Sequence, residues 1–280
     1  MGRSALAERP SGGDSSQVDD AAVLALLAEA DASPALPGLG GMARPNGVAI
    51  VSQRVWCYSR TDGAAVSTGR MPRPPACLTR LPFARGLAKL AVSLAPLLSR
   101  KGAARRGERL FLLAVLLAPL PLAAVPGAYR TVALAVSIVA VLAWMLRGRT
   151  LRLHGAEHRA IAAAERRQLV ATWHGAARPS RFSPRCGTNF VAILMPVSLL
   201  LERIWILPTT ALTPVIVSFA ALALTMEIWI AAQRWMSSVG RVVLLPGLLL
   251  QRLTTREPDL LDTRVALRAV AGVLAADRPA

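Results

Sequence analysis

The sequence predicts a mainly helical, polytopic membrane protein with about four transmembrane helices, a small cytoplasmic β-hairpin element and interfacial amphipathic helices. Three observations carry this. Of the 280 residues, 54% are hydrophobic and only 18% charged, an apolar excess over the soluble norm. The excess sits in four segments, Leu110 to Pro126, Thr131 to Leu146, Phe190 to Pro208 and Ala211 to Ala231. Each approaches the roughly 17–25 residues a spanning helix needs, although the third contains Glu202 and Arg203. Finally, the arginines cluster before the first segment and between the second and third, which by the positive-inside rule keeps those stretches and both termini cytoplasmic.

Residues 1–37 open with MGRSALAERPSGGDSSQVDD, which lacks the apolar core of a secretory signal. They are expected to be a disordered tail carrying one short Ala/Leu-rich helix around Ala21 to Ala30. Residues 38–80 are expected to form the small cytoplasmic β-element. There GVAIVSQRVWCYSRTDGAAVSTG, from Gly47 to Gly69, has β-branched and aromatic runs broken by Asp62-Gly63, a tight hairpin signal. A proline-rich hinge, Met71 to Pro75, leads into residues 81–280, the helical membrane domain.

That domain begins with Leu81 to Leu94, whose sparse charges suit an amphipathic helix on the membrane surface. The cytoplasmic loop 147–189 is the long polar stretch between spans. After the fourth span, Val242 to Leu253 is too short to cross and is interrupted by Pro246-Gly247, so an interfacial or re-entrant piece is expected. An amphipathic helix over 258–275, with Pro258 in its first turn, closes the chain.

The net charge of +17, from 33 lysines and arginines against 16 acids, invites a nucleic-acid partner. The placement of those charges around the spans argues instead for topology and for anionic membrane lipids as partners, with no nucleic acid. Cys57, Cys77 and Cys186 all fall on the expected cytoplasmic side, where thiols stay reduced and no disulfide framework forms.

Two of the three histidines lie in loop 147–189 as His154-Gly-Ala-Glu-His158. Four residues apart on a helix they share one face, and two imidazole nitrogens so placed can converge on one ion. Glu157 lies between them, so the run fits HxxEH, in which two histidines bind zinc and the glutamate activates water. A helical surface with two incidental histidines is the competing interpretation. Cys186, in Ser183-Pro-Arg-Cys-Gly-Thr-Asn-Phe190, is the expected third ligand. Its place at a helix N-terminus beside Arg185 favours thiolate; a buried structural thiol is the alternative.

Glu227, near the cytoplasmic end of the fourth span, is an intramembrane acid and therefore a candidate ligand or general base, or else the partner of an arginine such as Arg234. His174 is expected to be a loop residue, and Trp205, Trp229 and Trp235 interfacial anchors.

HGAEH followed by Glu165, then PRCGT with Phe190, then Pro246-Gly-Leu and Gln251-Arg-Leu-Thr-Thr-Arg-Glu-Pro258, in that order between apolar helices, resemble the YqhQ-like family of bacterial membrane proteins (DUF1385). The likeness includes Asp62-Gly63 and Leu81-Pro-Phe-Ala-Arg-Gly86. The resemblance implies a multi-pass protein of the bacterial inner (plasma) membrane and, since the family is described as predicted metal-dependent enzymes, a metal site on His154, Glu157, His158 and Cys186. Thr254, Thr255, Arg256 and Glu257 would form a second cytoplasmic motif. The chain departs from the family pattern at Asn46, where an acid is usual, at Ser183, where a histidine is common, and at Arg264, where a glutamate is frequent.

The expected function is a metal-dependent hydrolase on the cytoplasmic face. His154, His158 and Cys186 would hold a divalent ion, zinc before others, with Glu157 and Glu227 as catalytic acids and a lipid-linked or membrane-associated substrate. The alternative is a non-enzymatic membrane scaffold in which HGAEH and PRCGT only tie the loop to the helices.

Overall fold

The computed structural model describes residues 19–63, 66–98, 104–117, 129, 132, 133, 136, 139, 140, 143, 149–206, 210, 212–234 and 238–278. They form two layers of different character: a sheet with helices packed on it, and a group of apolar helices.

The sheet is a four-stranded antiparallel meander, β1 (Gly40–Arg44), β2 (Gly47–Val51), β3 (Val55–Arg60) and β4 (Ser67–Arg70), in the order β1-β2-β3-β4. The expected turn at Asp62-Gly63 lies between β3 and β4, and Gly63 takes the positive φ of 75° that glycine tolerates. A hairpin closed by Pro45-Asn46, with Arg44 opposite Gly47, precedes it. Sequence patterning misses that hairpin because Gly40-Gly-Met-Ala-Arg44 lacks β-branched residues. Its glycine answers a packing demand: a Cβ on Gly41 would stand 2.7 Å from Glu157 Cγ.

The sheet packs on α5 (Thr150–Glu165) and α10 (Leu260–Ala276). Val48, Ile50 and Cys57 from the sheet meet Leu153, Ala156 and Ala160 of α5 and Leu267 and Val270 of α10 in one core. The alanines of α5 keep its face thin enough for close approach. Gly155 does the same on another side, since a Cβ there would meet the Arg256 carbonyl at 2.2 Å.

The amphipathic helix expected over 258–275 is present as α10, and it is a core element. Seven of its apolar residues, among them Ala266, Leu267 and Val270, are buried, and apolar coverage that wide calls for burial against protein. Its buried Asp262 is held by Arg149 (2.6 Å) and Arg152 (3.0 Å), which fix the start of α5 to α10. The short helix expected around Ala21 to Ala30 is present as α1 (Asp20–Ala32), N-capped by Asp19, with Val23 and Leu27 inserted into the same core. Asp31 accepts from the amides of Leu169 and Val170 at the start of the short α6 (Leu169–Trp173).

The apolar group contains α7 (Gly187–Ile204) and α8 (Thr213–Arg234). Two stretches of it, Gly187–Ile204 and Thr213–Gln233, are long and apolar enough to cross a membrane. The other two expected spans, Leu110 to Pro126 and Thr131 to Leu146, lie largely outside the described residues; the first is described as far as the end of α4 (Arg106–Leu117). Beside α7 runs α9 (Ser238–Thr254), a continuous 17-residue helix. It was expected to break at Pro246-Gly247. Instead Gly247 lets α9 pass close to α7, where a Cβ would stand 2.1 Å from Asn189 Oδ1. Short α2 (Ala76–Arg80) and the amphipathic α3 (Ala84–Leu98) complete the set, with Gly86 of α3 against Met226 of α8.

Candidate metal centre

His154 and His158 stand one turn apart on α5, with ring centroids 4.5 Å apart. Each ring is fixed by its far nitrogen. His154 Nδ1 lies 2.8 Å from the Thr254 carbonyl oxygen, and His158 Nδ1 lies 2.6 Å from that of Arg181. A carbonyl only accepts, so both Nδ1 atoms carry the proton, and in the neutral ring each Nε2 keeps a free lone pair. A backbone carbonyl on the distal N–H is the arrangement that orients metal-ligating histidines.

The third group arrives from the other layer. Cys186 is the N-cap of α7, and its Sγ lies 3.3 Å from His154 Nε2. The sulfur accepts from the Thr188 hydroxyl at 3.2 Å and from the Thr188 amide at 3.5 Å. The loop that carries it is clamped by two fully buried amides. Gln251 accepts from the Ser183 N–H (2.9 Å) and donates to the Ser183 carbonyl (2.8 Å), while Asn189 donates to the carbonyls of Ser183 (3.0 Å) and Pro184 (2.8 Å).

Nδ1/Nε2 of the two histidines and Sγ of Cys186 offer one ligand atom each, all within 4.8 Å of one another. A tetrahedral ion with bonds of about 2.0–2.3 Å separates its ligands by roughly 3.3–3.8 Å, so small side-chain adjustments close this set. His158 Nε2 sharpens the fit: it is buried and has no hydrogen-bond partner among the described residues. A buried polar atom left without a partner costs on the order of 1–3 kcal/mol, a penalty that a bound ion removes. The donors N, N and S suit zinc by their softness, and three protein ligands leave one tetrahedral position open.

Glu157 projects beside this cluster under strand β1, where the Ala43 amide donates to its carboxylate. Burial pushes its pKa up to about 7, against the opposing pulls of His154 and of the Ala43 N–H. A carboxyl titrating near neutrality both takes and returns protons readily. A cavity of about 270 Å³ opens over the cluster. His154, Glu157, His158 and Cys186 line it together with Gly41 and Met42 of β1, Thr188 and Ser183.

The structure thus brings four of the five sequence-derived site residues to one cavity. Glu227 is not among them. It accepts from the Phe83 amide at 3.0 Å and from the Arg85 guanidinium, and so fastens the start of α3 to α8. Of the three departures from the family pattern, Ser183 lines the cavity, Asn46 accepts from the Tyr58 hydroxyl at 2.7 Å in the first hairpin, and Arg264 donates to the Trp173 carbonyl and stacks on that ring. Sequence reasoning missed β1 as a wall of the site, and missed Thr188, Gln251 and Asn189 as the residues that hold Cys186. The adjacent glycines Gly40-Gly41 were the available signal for the first, because such a pair marks close backbone approach.

No curated protein and no solved structure matches the chain. A family model does, over residues 81–276, which takes in α5, the Cys186 loop, the apolar helices α7 and α8, and α10 but leaves strand β1 outside. The three candidate ligands and the amides that position them all fall within that stretch, and by it the chain belongs to the DUF1385 family of proteins of unknown function.

Proposed function

We propose that the protein is a membrane-embedded, metal-dependent hydrolase with its active centre at the cytoplasmic surface of the bacterial inner membrane. The observation that carries this proposal is the buried, unpartnered Nε2 of His158, aimed into a cavity beside His154 and Cys186. His154, His158 and Cys186 would hold the ion, zinc by the donor set, and both termini would lie on the cytoplasmic side with the basic segments.

A divalent ion bound there supplies Lewis acidity toward a substrate oxygen. The protein's own groups do the rest. Thr254 and Arg181 carbonyls hold the two imidazoles with their Nε2 lone pairs inward, and Thr188 orients the sulfur. Glu157, whose carboxyl titrates near neutrality, takes a proton from the attacking water at a carboxylate oxygen and returns it to the leaving group as the scissile bond breaks. The apolar walls contributed by Leu39, Met42 and Ile161 limit bulk water around these steps.

Elemental mass spectrometry on detergent-purified protein tests the metal half. Near-stoichiometric zinc is expected in wild type and is to be lost in both His154→Ala and Cys186→Ser; wild type free of metal after chelator-free purification contradicts the proposal. A panel of ester, amide and phosphoester substrates tests the catalytic half. Glu157→Gln should keep the metal and lose turnover, whereas full activity in that variant would favour a structural role for HGAEH.

A further inference from the structure

The cavity over the candidate metal centre opens beside the first residue of α7, a helix long and apolar enough to cross a membrane. Gly187, the first residue of α7, lines the cavity and is itself exposed. A Cβ added there would have no neighbour within 4 Å, so the space over it is open. Val191, Met195 and Leu199 follow Gly187 at four-residue steps and form one ridge that winds slowly round the helix as it rises, because four residues overshoot the 3.6-residue turn. All three are well exposed, Val191 at 50% and Met195 at 60%, so an unbroken apolar stripe runs from the cavity mouth along a helix apolar enough to span the bilayer.

The cavity also limits what can enter. At about 270 Å³ it has room for a small headgroup and not for a whole lipid. Its exposed cation is Arg185, whose guanidinium pairs with Glu165 at 2.8 Å. Both partners are about half exposed, and an ion pair of that kind is weak enough to be exchanged for a better anion. The inner end of the same cavity is the His154/His158/Cys186 cluster, so a polar group seated beside Arg185 lies next to the candidate ion.

The geometry points to a membrane amphiphile with a phosphate-bearing headgroup as the substrate, entering sideways from the bilayer. Its headgroup occupies the cavity between Arg185 and the His154/His158/Cys186 cluster, and its acyl chain lies along Gly187, Val191, Met195 and Leu199. This rests on the proposed function for the chemistry performed, but the binding itself is separable from it.

The test uses the full chain in detergent with zinc present. Native mass spectrometry measures binding of dioctanoyl phosphatidic acid, of glycerol 3-phosphate (headgroup without tail) and of dioctanoyl phosphatidylcholine (tail with a zwitterionic head). The phosphatidic acid should bind at least ten times more tightly than either comparator. Gly187→Trp, which fills the open mouth, should cost that binding tenfold or more with the zinc content unchanged. Arg185→Gln, on an exposed side chain, should remove the preference over phosphatidylcholine. Glycerol 3-phosphate binding as well as the lipid would overturn the inference in favour of a soluble phosphate compound. Equal binding of both lipids, unaffected by either variant, would reduce it to bulk lipid adhesion. Zinc present without lipid preference sinks this inference alone, while lipid preference without zinc in any sample sinks the metal centre and leaves the inference standing.

Discussion

Cys186 Sγ and His154 Nε2 lie 3.3 Å apart although they belong to different layers of the molecule, one capping an apolar helix and the other on a helix packed under the sheet. The contact exists because Gln251 of α9 clamps the loop before Cys186, which Asn189 of α7 also braces, and because α9 continues into the Thr254 carbonyl that orients His154. One helix therefore sets both partners.

The three free cysteines should react with maleimide at well separated rates. Cys77 is exposed and should label within minutes. Cys57 is fully buried, and burial pushes its thiol up to about 12, so it should stay unlabelled until the protein unfolds. Cys186 should label in chelator-treated protein and become protected on adding zinc; zinc-independent labelling of Cys186 would count against its being a ligand.

Thr188→Val keeps the shape of the side chain and removes the hydroxyl that donates to Cys186 Sγ. Loss of an outer partner of a metal ligand typically costs about 10–100-fold in affinity, and a loss near the lower end is expected because the Thr188 amide remains. Competition with a chelating dye measures it.

Gly41→Ala places a Cβ 2.7 Å from Glu157 Cγ, between a strand and a helix that are both fixed by packing. Overpacking of this kind costs about 1–3 kcal/mol, and thermal unfolding should show it. Gly187→Ala, where the added Cβ meets nothing, is the control and should leave the melting temperature unchanged.

Glu157 gives the metal-free protein a pH dependence of definite sign. Its folded pKa, about 7, lies above the ordinary 4.5, so the folded state holds the proton more tightly than the unfolded chain. Stability from this group is therefore complete below about pH 4.5, declines as pH rises, and is gone above about pH 7, a span worth on the order of 3 kcal/mol. Melting temperatures of chelator-treated protein should fall across that window, and Glu157→Gln should flatten the profile.

The candidate ligands were legible in the sequence because helical periodicity is local: a four-residue step from His154 to His158 already places them on one face. Cys186 could be joined to them only through the order of motifs along the chain, since nothing local reports that α9 bridges the two. Glu227 attracted attention as an acid in an apolar segment, yet its partners, Phe83 and Arg85, lie more than a hundred residues away and were invisible to spacing. The C-terminal helix illustrates a different limit. Patterning recognises apolar residues but not whether lipid or protein will cover them, and here β2, β3 and α5 do. Strand β1 was missed because its composition serves contact with Glu157 before it serves β-propensity.

The central claim is that His154, His158 and Cys186 share one ion. Replacing zinc by cobalt(II) and recording the absorption spectrum tests it most directly. Intense visible bands of a tetrahedral site are expected, together with a near-ultraviolet sulfur-to-cobalt charge-transfer band. Cys186→Ser should abolish the charge-transfer band, and His158→Ala should weaken or abolish both features. Cobalt that binds without a charge-transfer band, or whose spectrum is unchanged in Cys186→Ser, would contradict it.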